Sequence, residues 1–131
     1  RPVDVIKHVT ERRINCIGVG LEALLKYAKE KKLVSSVPAN AGLRCDLLKE
    51  TFPDSPEIID YINFYLRLRK LSKAEYSKRE EFRRHVTMIA TIDKGEVVEV
   101  SIDVLKEYYD RTKTFIALVK KIINEEKDEE R

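Results

Sequence analysis

The chain has no glutamine, no tryptophan, one methionine, two cysteines and two histidines among its 131 residues. Each scarcity excludes something. Cys16 and Cys45 have no CxxC spacing, and with only two histidines beside them no structural zinc pattern is recognisable. No metal and no cofactor are expected. The two cysteines read as small buried apolar residues, with a single disulfide as the sharper alternative. No apolar run reaches the roughly 18 residues of a membrane span, and no signal-peptide core is visible. A soluble, cytoplasmic chain that does not enter a membrane is the expectation. A phosphate loop of the G-x-x-x-x-G-K type is absent. So are linkers, repeats and low-complexity tracts, which points to one helical domain over residues 1–131. The first residue is Arg rather than Met, so trimming of the start is expected.

What is present instead is charge and aliphatic bulk. Charged residues make up 37% of the chain, against roughly 25% in average domains, and hydrophobic residues make up 43%. Abundant Lys, Arg and Glu with few thermolabile side chains is the bias of hyperthermophile proteins. The formal net charge is only +3, so a nucleic-acid role would need a local basic patch.

Periodicity gives the architecture. Residues 3–33 read as one amphipathic helix with Ile6, Val9, Ile14, Ile17, Leu21, Leu24, Leu25 and Ala28 inward. Asn40 caps a short helix from Ala41 to Thr51 with Leu43, Leu47 and Leu48 inward. Ser55 and Pro56 start a third helix, whose apolar stripe thins after Leu71. From Lys73 to Arg84 the chain stays helix-prone with little to bury. VTMIATI, Asp93-Lys94-Gly95 and EVVEV read as a β-hairpin with Gly95 left-handed. The hairpin is preferred to a third helix that runs on to about Ile92. Ser101 caps a last helix to about Asn124, with Ile102, Leu105, Tyr109, Thr112, Ile116, Val119 and Ile123 inward, and residues 125–131 form a frayed charged tail. The fold class is mainly α: a four-helix bundle with a short β-hairpin inserted before the last long helix.

Few motifs carry chemistry. Gly18-Val19-Gly20-Leu21-Glu22-Ala23 matches the dinucleotide pattern G-x-G-x-x-A, but that chemistry needs a preceding strand, and two glycines at a helix crossing explain it as well. Asp103, Glu107 and Asp110 share a helix face, which solubility explains more simply than a metal. Ser35-Ser36 lacks a neighbouring base, and Cys16 sits near a buried stripe, which disfavours nucleophilic chemistry. The basic stretch from Arg67 to His85 is the exception. Arg67, Arg69, Lys70, Lys73, Lys78, Arg79, Arg83 and Arg84 outweigh Glu75, Glu80 and Glu81 by more than the net charge of the whole chain. Tyr76 and Phe82 interleave them, as in surfaces where bases stack on rings and cations hold phosphates. A solvated helix face laced with pairs such as Glu80 with Arg84 gives the same composition.

Arg79 and His85 add a further element. A histidine can move protons near neutral pH, and an arginine can hold a scissile phosphate. An Arg followed by a His at four to six residues resembles the signature of HEPN domains, small all-helical bundles. The likeness extends to size, helical make-up and the place of the pair before the last long helix. It implies metal-independent cleavage of RNA, with His85 as acid–base and Arg79 on the phosphate. Other members of that family only bind nucleotides or partners. The first reading is therefore a small binding module. A basic helical arm over residues 67–85, with Arg69, Lys73, Tyr76, Arg79, Phe82, Arg83 and Arg84 in contact, binds nucleic acid such as RNA, or an acidic protein partner. A HEPN-like ribonuclease is the alternative, and a self-associating helical subunit is the third.

Overall fold

The computed structural model describes residues 2–81 and 85–129. The elements in order are α1 (Pro2–Glu30), α2 (Ala41–Thr51), α3 (Pro56–Lys73), β1 (Glu75–Glu81), β2 (His85–Thr91), β3 (Val97–Val100) and α4 (Ile102–Glu129). The chain is mainly helical, with a small antiparallel sheet inserted ahead of the last long helix.

Side-chain caps set the helix starts. Asn40 Oδ1 accepts from the Leu43 N–H at 3.1 Å, Ser55 Oγ from Ile58 at 3.4 Å and Ser101 Oγ from Val104 at 3.3 Å. α1 stops at Glu30, short of the expected residue 33, because Lys32 takes a left-handed conformation with φ 61°. The Leu33 N–H donates to the Ala28 carbonyl at 2.8 Å and the Lys32 N–H to Lys29 at 3.0 Å, which is a Schellman end without its usual glycine.

α1 is the hub of the bundle and packs on α2, α3 and α4. Its Ile17, Leu24, Leu25 and Ala28 are completely buried, as are Leu48, Ile62, Leu68 and Phe115 on the other helices. At the centre of α1, Gly18 and Gly20 let neighbours close in. A Cβ on Gly20 would lie 2.7 Å from Phe115 Cε2, and one on Gly18 would lie 3.4 Å from Tyr65 Oη. The dinucleotide pattern is therefore a helix crossing in the middle of a 29-residue helix, with no strand before it. Cys16 and Cys45 are free thiols, the first half-buried and the second buried, so the disulfide alternative falls.

Two inward stripes differ from expectation. On α4 the buried residues are Leu105, Tyr108, Thr112, Phe115 and Val119, while Ile102 and Tyr109 are exposed. Two overlapping three-and-four stripes are both apolar on this helix, and the one holding Phe115 faces α1. On α2, Cys45 and Leu48 are buried and Leu43 faces out. α4 also continues to Glu129 rather than ending near Asn124.

The hairpin is present, with Lys94 and Gly95 both left-handed in its loop, but it belongs to a three-stranded sheet in the order β1-β2-β3. Val86, Met88, Ala90 and Val100 form its buried side, and β2 packs against α1 and α4. The helical extension expected from Lys73 to Arg84 is corrected here. α3 ends at Lys73, Ala74 is extended, and Glu75–Glu81 pair with Thr91–His85. A two-stranded hairpin is marginal alone, and a third strand satisfies the backbone N–H and C=O groups on the second edge of β2. That tertiary demand overrides the helix propensity of EYSKREE. The charged side chains of β1 then guard an edge strand against further pairing.

Candidate functional site

The basic segment is divided by the turn from α3 into β1. On one side its cations are neutralised by the hairpin. Arg67 forms a two-pronged pair with Glu96 at 2.9 and 3.5 Å, and that bond holds its guanidinium above its ordinary pKa. Lys70 meets Asp93 at 2.6 Å. Arg79 reaches across β2 to Glu99 on β3, with contacts of 2.8 and 3.3 Å. These three pairs stitch the sheet to α3 and bind β1 to β3. Among the described residues these pairs are long-range; the i to i+4 pair anticipated between Glu80 and Arg84 lies outside the described residues.

On the other side the segment meets α1. Arg69 donates from Nη1 to Tyr65 Oη at 3.1 Å, with its guanidinium carbon 5.5 Å from the Tyr65 ring centre. Lys73 is the last residue of α3 and exposed. Arg69, Ser72 and Lys73 line one wall of a cleft of about 200 Å³, and Glu11, Ile14 and Asn15 of α1 line the other. Tyr76 follows at the start of β1, 43% exposed, with Lys7 Nζ 4.6 Å from its ring centre. Arg69, Lys73 and Tyr76 therefore sit in sequence order along the α1–α3 seam.

Lys7 and Asn15 were missed in the sequence. They lie two helical turns apart on one side of α1, a spacing that marks a shared face, but only the tertiary packing shows that this face meets α3 and β1. Glu11 stands between them and is within 3.8 Å of His8, so the cleft is not purely cationic.

Arg79 and His85 come close through the strand pairing. The register matches Arg79 with Thr87 and Glu81 with His85, so positions 79 and 85 are diagonal neighbours, about 7–8 Å apart at Cα by sheet geometry. The motif thus spans two strands rather than a helix, and the Arg79 guanidinium is held by Glu99. Phe82, Arg83 and Arg84 lie outside the described residues.

Burial raises the ordinary pKa of Cys45, Tyr61 and Tyr108, with neighbouring arginines opposing the effect at each. None of the three lines the cleft. Among the described residues no group of three or more His, Cys, Asp or Glu converges to hold a metal, so Asp103, Glu107 and Asp110 form no such site. No described helix is long and apolar enough to cross a membrane. Comparison with models of protein families, with curated proteins and with solved structures gives no match to this chain.

Proposed function

We propose that this chain is a small non-enzymatic binding module that grips single-stranded nucleic acid along the seam between α1 and the α3–β1 junction. One observation carries this: Arg69, Lys73 and Tyr76 share the seam with Lys7 and Asn15, beside a cleft. Cations of this kind hold phosphates, a half-exposed tyrosine ring offers a stacking surface, and Asn15, Ser72 and the Glu11 carboxylate complete the polar lining. Arg67, Lys70 and Arg79 work differently, as stitches that keep α3 and the sheet in place. The interface is thus smaller than the whole basic segment, and α1 contributes half of it. The free thiols Cys16 and Cys45 suit a reducing, cytoplasmic setting.

The test is fluorescence anisotropy with a labelled single-stranded RNA at low salt. Wild type binds, and Arg69→Gln with Lys73→Gln weakens binding while the fold is kept. Absence of binding by wild type at low salt overturns the proposal.

A second reading is favoured by the register, which makes positions 79 and 85 neighbours. In it the chain is a HEPN-like, metal-independent ribonuclease with His85 moving the proton and Arg79 on the phosphate. It requires Arg79 to leave Glu99. RNA cleavage that disappears in His85→Ala would place this reading ahead of the first.

A further inference from the structure

The second apolar stripe of α4, which carries Tyr109 and Ile116, borders α1 instead of entering the centre of the core. Together with Cys16, Thr112 and Ala117 it lines a groove of about 380 Å³ between α1 and α4. That volume falls within the roughly 300–1,000 Å³ of small-molecule sites. The groove lies on the α4 side of α1, apart from the cleft beside α3.

Its charged lining is of one sign. Arg13, Lys113 and Lys120 are the ionisable cations there, and no carboxylate is among the lining residues. None of the three makes an ion pair with a described residue. Arg13 and Lys113 converge on one ring: their charged centres lie 4.8 and 5.3 Å from the centre of Tyr109. Like charges so gathered repel, and an anion between them would turn repulsion into attraction. Arg13 also carries an unmet demand. Its Nε–H is shielded from water and has no acceptor among the described residues. The Nη groups can donate to a carboxylate seated in the groove, and a turn of the Arg13 side chain would bring its Nε–H to the same carboxylate as the second, parallel donor. Lys120 stands two helical turns beyond Lys113, about 10 Å along the axis. Between those cations the lining is apolar, supplied by Cys16, Ile116 and Ala117.

We infer that this groove binds a small carboxylate with an aliphatic body, of the medium-chain fatty acid class. The carboxylate accepts hydrogen bonds from Arg13 and Lys113 beside Tyr109. The hydrocarbon lies over Cys16, Ile116 and Ala117 and runs toward Lys120. Charge complementarity selects the head group, and the apolar lining selects the tail.

Octanoate is the probe, followed by amide chemical shifts on the whole chain, with acetate and octanol as the head-only and tail-only controls. Octanoate is expected to give saturable shifts at residues 13, 16, 109, 113 and 116 and to slow maleimide labelling of Cys16. Octanol and acetate should bind more weakly by at least about tenfold, as loss of a charge-assisted hydrogen bond or of the buried tail implies. Arg13→Gln should weaken octanoate by a similar factor. Should Arg13→Gln lower the melting temperature, Lys113→Gln on the exposed side of α4 replaces it, with the same expected loss. Equal binding of octanol and octanoate, undiminished binding in a folded variant, or no saturation up to about 10 mM would overturn the inference.

Discussion

Replacing each of the two central glycines of α1 by alanine separates packing from backbone propensity. Both positions are interior to the same helix, so Gly→Ala should favour helix at each by up to about 1 kcal/mol. Their surroundings differ. At Gly18 the added methyl meets Tyr65 at 3.4 Å or more, an ordinary contact. At Gly20 it would lie 2.7 Å from Phe115 Cε2 and 3.1 Å from Ile116 Cδ1. Phe115 is completely buried, and its ring centre lies 4.8 Å from that of Tyr61, so it has little room to retreat. Overpacking of this kind costs about 1–3 kcal/mol. The propensity gain is common to both variants and cancels in the comparison. Gly20→Ala should therefore be less stable than Gly18→Ala by about 1–3 kcal/mol, roughly 3–12 °C in melting temperature for a chain of this size. Urea unfolding followed by far-UV circular dichroism reads the difference. Adding Phe115→Leu to both should shrink the gap, because the ring edge is what the methyl strikes. Equal stabilities, or a more stable Gly20→Ala, would refute the close crossing of α1 and α4.

Lys32→Gly should raise stability by about 0.5–1 kcal/mol, because glycine adopts the left-handed end of α1 without a Cβ penalty; urea unfolding that shows no gain would contradict the Schellman end. Tyr61 and Tyr108 are held neutral by burial, with folded pKa values above the ordinary 10.0. Their contribution to stability is complete below that value and is lost as pH rises through the folded pKa, so Tyr108→Phe should flatten the alkaline decline seen by circular dichroism. An unchanged decline would remove Tyr108 from that role. Amide substitution of Asp93, Glu96 and Glu99 together should lower stability by about 0.6–3 kcal/mol, since each exposed pair contributes about 0.2–1 kcal/mol. While it stays folded, the same variant should still bind RNA through the seam, because Arg67, Lys70 and Arg79 do not line the cleft, and loss of binding would contradict their role as stitches.

Much of this fold was legible in the sequence because the signals were local. Asn40, Ser55 and Ser101 cap where short polar side chains before helical runs should, and Gly95 turns the hairpin with positive φ. The segment Glu75–Glu81 was not legible, because its side chains favour helix while its pairing is dictated by β2, a partner further along the chain. The phase of α4 was ambiguous for a related reason: Tyr108 and Tyr109, or Phe115 and Ile116, are equally apolar neighbours, and only the approach of α1 chooses between them. At the candidate site, Arg69, Lys73 and Tyr76 were visible as a basic stretch interleaved with aromatics. The acids that neutralise Arg67, Lys70 and Arg79 come from residues 93–99, and Lys7 comes from α1, so neither could be paired with the segment by spacing.

The most direct measurement is the salt dependence of single-stranded RNA binding by wild type and by the Arg69→Gln, Lys73→Gln double variant. Each phosphate contact contributes about 0.7 to the slope of log affinity against log salt for a single strand. If Arg69 and Lys73 hold the backbone, the variant should bind more weakly at low salt and its slope should be smaller by about 1.4. Wild-type binding that is indifferent to salt, or an unchanged slope in a variant that remains folded, would contradict the proposed interface.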